Sequence, residues 1–223
     1  MPDIQNLNQT SLQNKEKTLD DDKSSMTAPD YMVAFSGNSQ SYCVGMVDIV
    51  NSTKISHTLD MYKMSKYYKI FINSISKVLS RFGGCVVKNM GDSLLYYFPE
   101  SSKTESKYGI TSCLEASFAI IQEHVSINEY LQNENLPQID YRVSADYGMV
   151  VLMNTNDSTS LDIIGPPVNM VSKINRSAAV NGIVFGSDLY EISKDLNEYK
   201  FKRIGEYSIG LKNSYPLYSI FRK

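Results

Sequence analysis

An α+β fold, an antiparallel sheet with helices on one face, is what the order of patterns in this sequence predicts. Three observations predict it. Short apolar runs rich in Val, Ile, Tyr and Phe alternate with two long stretches of helical period. Runs and helices follow one another as β-α-β-β-α-β. Between the second and third runs stands Gly91-Asp92, a tight-turn pair that makes those two runs a hairpin.

The first run, Tyr42-Cys43-Val44-Gly45-Met46-Val47, reads as a central strand ending at Asp48. Ser52 or Thr53 then caps a long helix reaching Arg81, with Leu59, Tyr62, Met64, Tyr67, Ile70, Phe71, Ile75, Val78 and Leu79 on its apolar face. Phe82-Gly83-Gly84 stops it. Cys85 to Met90 and Ser93 to Phe98 are the hairpin strands, and a second amphipathic helix runs from about Tyr108 to Leu131. Separate strands are expected at Tyr141–Ala145 and Met149–Leu152, then a polar loop over Asn154–Ser160 and a third helix from about Pro167 to Ala179. A strand at Ile183–Phe185, a short helix from Ser187 and two closing strands complete the chain. This order is the ferredoxin-like split βαβ arrangement.

The 223 residues suffice for one well-buried domain. Residues 1–38 are polar, include Asp20-Asp21-Asp22 and offer little to a core, so a disordered arm or linker is expected there and a single domain over 39–223. A net charge of −2, with both signs mixed, excludes a dedicated nucleic-acid surface. No apolar run approaches the ~20 residues that span a bilayer, and the N-terminus lacks the basic-then-apolar order of a secretory signal, which makes a cytoplasmic location the default. Cys43, Cys85 and Cys113 lie in apolar stretches and read as buried small hydrophobes. His57 and His124 have no metal-ligand spacing and read as ordinary helix residues.

Two aspartates carry the candidate chemistry. Asp48 closes the first strand, Asp92 sits at the hairpin tip, and the split βαβ order sets those elements side by side. Hard cations such as Mg²⁺ take oxygen ligands, usually one or two carboxylates plus substrate phosphates. The plainer alternative is a helix-capping Asp and a turn Asp. Ser52 and Thr53 open the first helix, where free backbone N–H groups suit phosphate oxygens.

Asp48-Ile49-Val50-Asn51-Ser52-Thr53, Val87-Lys88-Asn89-Met90-Gly91-Asp92 and Asp162-Ile163-Ile164-Gly165-Pro166-Pro167-Val168-Asn169 occur in the order, and near the separations, found in class III adenylate and guanylate cyclase domains. The chain resembles that family from about Ser41 to Phe221. The resemblance implies that Asp48 and Asp92, helped by the Ile49 carbonyl, hold two Mg²⁺ or Mn²⁺ ions. It further implies that Lys88 and Asp162 read a purine. Adenine offers an N6 amino donor to the carboxylate and an N1 acceptor to the ammonium, whereas guanine presents the reverse, so ATP is the implied substrate and GTP is disfavoured. Asn169 is implied to orient the ribose.

The clearest departure is Lys173, four residues beyond Asn169 on the same helix face, where the family has an arginine that stabilises the transition-state phosphate. Lysine keeps the charge and loses the planar fork; slower turnover, compensation by Arg176 or lost activity are the open consequences. Lys212, in Ile209-Gly210-Leu211-Lys212-Asn213, loosely matches the family's triphosphate lysine, since the usual glycine after it is absent. In the family each site is shared by two domains placed head to tail, and this chain carries both sets, which implies a C2 homodimer with two equivalent sites. The rival implied by Lys173 is a catalytically silent cyclase-homology module that binds nucleotide or a partner as a regulatory dimer. A diguanylate cyclase would carry a different hairpin from Met90-Gly91-Asp92-Ser93.

Overall fold

The computed structural model describes residues 33–103, 107–155, 161–208, 210 and 212–223. Strand β1 (Val33–Ile49) is followed by the short helix α1 (Ser52–Ser56), the long helix α2 (Met61–Arg81) and the hairpin β2 (Cys85–Asn89) and β3 (Ser93–Phe98). Helices α3 (Tyr108–Gln122) and α4 (His124–Asn133) lead to β4 (Tyr141–Thr155), β5 (Leu161–Ile164), α5 (Pro166–Ile174) and a 3₁₀ turn at Asn175–Ser177. Strand β6 (Ile183–Gly186), helix α6 (Ser187–Ser193) and strands β7 (Tyr199–Tyr207) and β8 (Tyr215–Arg222) close the chain. The sheet order is β2-β3-β1-β4-β6-β8-β7, with β5 paired to β4. Its first four strands are the split βαβ order that the sequence predicts.

Alternation along β1 explains the two-sided packing. Cys43 and Val47 face a core built with Phe71, Ile75, Val78 and Leu79 of α2 and with Cys113, Leu114 and Ile120 of α3. Tyr42, Val44 and Met46 face the other side, against Leu95, Tyr97, Val150 and Val171 of α5. Helices therefore cover both faces of the sheet. The one-face expectation fails because α5 carries its own buried stripe, Pro167, Val171 and Ile174.

Other local expectations also shift. β1 pairs with β4 from Val33 onward, ahead of the predicted domain start at 39; residues 1–32 of the predicted arm lie outside the described residues. The single helix expected up to Arg81 is two, because Asp60 caps α2 by accepting a hydrogen bond from Lys63 N at 2.8 Å. The second helix likewise divides at Glu123. Strand β4 runs unbroken where two strands and a loop were expected, although residues 156–160 of that loop lie outside the described residues. β6 joins β4 in parallel, so the sheet is mixed. Cys43 and Cys113 are buried as expected, but Cys85 is exposed, since β2 is an edge strand with outward positions. Among the described residues no helix is long and apolar enough to cross a membrane.

Within the unbroken β4 stands Asp146, only 1% exposed. Its Oδ1 accepts hydrogen bonds from Tyr147 N at 2.9 Å and Leu189 N at 3.3 Å, and its Oδ2 accepts one from Tyr215 Oη at 2.9 Å. Gly186 makes room for it, because a Cβ there would overlap the carboxylate. Burial outweighs these hydrogen bonds and raises the Asp146 pKa from 3.8 to about 7. A folded-state value above the unfolded one means that the native state holds this proton more tightly. Its contribution to stability is fully present below about pH 4 and is lost as pH rises through about 7. The size of the shift bounds the effect at a few kcal/mol, on the order of 4. Thermal melts should therefore show Asp146→Asn gaining stability relative to wild type between pH 5 and pH 8. A pH-independent difference between the two proteins would contradict this.

Candidate active site

The site is built by register. Asp48 pairs with Ser93 across β1 and β3, and Ile49 N donates to the Asp92 carbonyl at 3.1 Å. Met90 N donates to Ser93 O at 2.8 Å, and Gly91, with φ of 76°, supplies the left-handed step that closes the turn. These main-chain constraints carry Asp92 to the end of β1 beside Asp48. Both line one cavity of about 520 Å³, with Ile49, Ser52 and Thr53. The Ile49 side chain is in the core, so it is the main chain that faces this space.

Ser52 takes a different part from the one its position suggests. Asn51, at φ 57° and ψ 30°, turns the chain into α1, and among the described residues no side chain caps the helix. Neither Ser52 nor Thr53 acts as the predicted cap; the Ser52 hydroxyl instead donates to Asp92 Oδ2. It fixes the carboxylate rather than the helix end. With α1 only five residues long, the expected long helix is not what stands at this junction.

Across the sheet, Arg142 of β4 is the register partner of Asp48. Together with Arg176, from the 3₁₀ turn after α5, it lines the same cavity. Burial is the largest influence on Asp48 and, with the neighbouring Asp92 charge, lifts its pKa to about 6, against the opposing pull of Arg176 and Arg142. Two carboxylates thus share a partly dry space in which the Asp92 charge disfavours that of Asp48. The donor set is all oxygen, and among the described residues no group of three or more His, Cys, Asp or Glu comes together. Two carboxylates and a main-chain carbonyl suit a hard divalent cation that takes its remaining ligands from phosphate and water.

The second set of predicted residues lies elsewhere on the chain. Lys88 pairs with Leu95, whose side chain is on the α5 face of the sheet, and its Nζ meets Asp162 Oδ2 of β5 at 2.6 Å. The other Asp162 oxygen accepts from Ile163 N at 2.8 Å, which fixes the carboxylate plane. Asn169 and Lys173 both stand on the exposed side of α5, and Lys173 Nζ lies 5.9 Å from the Tyr207 ring centroid. None of these four residues lines the Asp48–Asp92 cavity. Lys212 is exposed in the turn between β7 and β8, while Ile209 and Leu211 of its motif lie outside the described residues.

Three cavity residues were not anticipated in this position. Arg142 is legible only once β1 and β4 are in register. Lys54 and His57 line the cavity because α1 ends after one turn, so His57 is not the ordinary helix residue expected. Its counterpart His124 opens α4, within 3.1 Å of Asp140.

The sequence matches the family model described as the adenylate and guanylate cyclase catalytic domain over residues 36–221. The cytidylate cyclase of Staphylococcus aureus is 26% identical over 193 residues, which cover 81% of this chain and 45% of that protein. The chain thus spans less than half the length of this curated relative. The crystal structure of the adenylyl cyclase CyaB from P. aeruginosa superimposes with a TM-score of 0.74 at 17% identity, covering 83% of this chain and 96% of that one. The guanylate cyclase domain of RhGC from Catenaria anguillulae, in complex with GTP, does so with a TM-score of 0.69 at 18% identity, covering 83% and 99%. At such identities the two structures speak for the fold. The family match over most of the chain, on a fold shared with both, makes this protein a member of the adenylate and guanylate cyclase catalytic domain family, the class III nucleotide cyclases.

Proposed function

We propose that the protein converts ATP to 3′,5′-cyclic AMP and pyrophosphate at sites shared by two copies of the chain placed head to tail. The observation that carries the reading is the meeting of Asp48 and Asp92 in one cavity beside two arginines. When bound there, Mg²⁺ or Mn²⁺ would lower the pKa of the ribose 3′-hydroxyl and offset the charge of the leaving pyrophosphate. The chain's own residues position and neutralise. Asp48, Asp92 and the Ile49 main chain supply the ion ligands, Ser52 holds the Asp92 carboxylate in place, and Arg142 faces the phosphates. The partner copy would bring Lys88 and Asp162 to the base, Asn169 to the ribose and Lys173 to the α-phosphate. The separation of the two sets on one chain supports the dimer, because one copy leaves each half-site facing water.

Base choice follows from the Lys88–Asp162 pair. Asp162 accepts from an exocyclic amino group and Lys88 donates to the adjacent ring nitrogen, which is the edge that adenine presents. Cytosine presents the same order, N4 amino beside N3. CTP is therefore the second reading, favoured by the likeness to a cytidylate cyclase, while GTP and UTP offer the reverse order. The test is incubation of the purified protein with Mn²⁺ and each of the four nucleoside triphosphates, with cyclic products identified by mass spectrometry. Product from ATP, or from CTP, supports an amino-base cyclase; product from GTP or UTP alone overturns the base assignment. Nucleotide binding without turnover supports the silent-module alternative.

Lys173 gives a separate prediction. A guanidinium at this position restores the two-point contact with the α-phosphate, so Lys173→Arg is expected to raise kcat on the order of tenfold. An unchanged or lower kcat would show that Lys173 does not meet the reacting phosphate.

A further inference from the structure

We propose that Arg176 binds the β- and γ-phosphates of the substrate, and then the departing pyrophosphate, from the same copy of the chain that supplies Asp48 and Asp92. The inference rests on the cyclase reading for the identity of its ligand.

The placement of Arg176 is fixed on both sides. Asn175, 2% exposed, donates from Nδ2 to Arg142 O at 3.3 Å and to Ser144 Oγ at 3.1 Å. On the other flank, Ala178 O accepts from Arg142 Nε at 3.0 Å, and Ala178 N closes the turn on Asn175 O at 3.1 Å. The backbone carrying Arg176 is thereby pinned to β4, next to β1, which carries Asp48 near its end. Its side chain is exposed and lines the carboxylate cavity.

What it does there is conspicuous by chemistry. Among the described residues Arg176 forms no hydrogen bond or ion pair, although its charge is felt by Asp48 across the cavity. A guanidinium and a carboxylate that share a space without touching leave room for something between them. Arg142, Arg176 and Lys54 set three fixed cations around two acids, a balance that suits a polyanion arriving with its own counter-cations. The planar fork of arginine matches two phosphate oxygens at once.

Arg176 also stands apart from Lys173. Three residues earlier on the chain, Lys173 lies over Tyr207 and lines no part of this cavity. Arg176 is therefore not a substitute for the missing arginine in the partner's site. It acts on its own chain's side, at the opposite end of the triphosphate from the base. In the reaction the 3′-oxygen bonds to the α-phosphorus as the bond from that phosphorus to the bridging oxygen breaks. Pyrophosphate leaves with the electron pair, and the hydroxyl proton passes to water. Arg176 would meet the negative charge that grows on the leaving group.

The experiment is calorimetric titration of inorganic tripolyphosphate with Mn²⁺ into the full chain, for wild type, Arg176→Ala, Arg176→Lys and Lys88→Ala. The expected result is at least tenfold weaker binding for Arg176→Ala, partial recovery for Arg176→Lys and no change for Lys88→Ala, with circular dichroism unchanged throughout. Equal affinity of wild type and Arg176→Ala overturns the proposal, and so does the absence of binding by wild type. Because no turnover is measured, a chain that binds tripolyphosphate through Arg176 but cyclises no nucleotide would sink the cyclase reading alone. A chain that cyclises nucleotide with Arg176→Ala unaffected would sink this inference alone.

Discussion

Asp92→Ala is expected to reduce cyclic nucleotide formation by about a thousandfold or more while leaving the fold intact. The turn that holds Asp92 is specified by its main chain, through Ile49 N to Asp92 O, Met90 N to Ser93 O and the left-handed Gly91. Truncating the side chain removes the hydrogen bond from Ser52, worth on the order of 1 kcal/mol, and nothing that determines the hairpin. Asp48→Asn should abolish activity equally and move stability the other way. The Asp48 carboxylate has no hydrogen-bond partner among the described residues, and burial raises its pKa to about 6. At pH 8 it is held charged in a place that disfavours charge, so a neutral amide relieves the native state. For Asp48→Asn, loss of turnover and of Mn²⁺ binding with a melting temperature unchanged or raised is the signature of a residue kept for chemistry against stability. Retention of a tenth or more of wild-type turnover by either variant would remove the carboxylate pair from the mechanism.

The parts of this site that could be read in the sequence are those fixed by local pattern. The end of a short apolar run marks Asp48, and Gly91-Asp92 marks a turn whatever surrounds it. Lys88 and Asp162 are 74 positions apart and meet because β2 and β5 are brought together; their pairing was legible only through resemblance to a family. Arg142 had no local mark at all. A lone arginine after Tyr141 in an apolar strand looks like a solvated edge charge, and only the β1–β4 register makes it the neighbour of Asp48. The gap left between the two expected strands, where Asp146 stands, erred in the opposite sense. An aspartate before Tyr147-Gly148 resembles a turn, yet tertiary hydrogen bonds from Tyr215 and Leu189 hold it inside a continuous strand. The break between α1 and α2 was hidden because Leu59 keeps the helical period across it, while the Asp60 cap gives no signal in a count of apolar positions.

Exchanging the polarity of the base-facing pair should produce the second large effect. With Lys88→Glu and Asp162→Asn combined, the ring-nitrogen position gains an acceptor and the exocyclic position gains a donor, the order that guanine and uracil require. Each mispaired buried contact costs about 1–3 kcal/mol, and the change reverses two of them. The ratio of kcat/KM for ATP over GTP, and likewise for CTP over UTP, should therefore fall by about a thousandfold. The Asp48–Asp92 cavity is untouched by these substitutions, so turnover of a keto-base substrate should remain measurable. In the single chain the two side chains are 43% and 37% exposed, a setting in which water would soften any mispairing. Discrimination of this size needs the pair to be covered, and the head-to-tail partner is what would cover it. Selectivity and activity should consequently fall together when the protein is diluted below its dimer dissociation constant. If the double variant keeps the wild-type order of substrates, Lys88 and Asp162 are a surface ion pair and the base is read elsewhere.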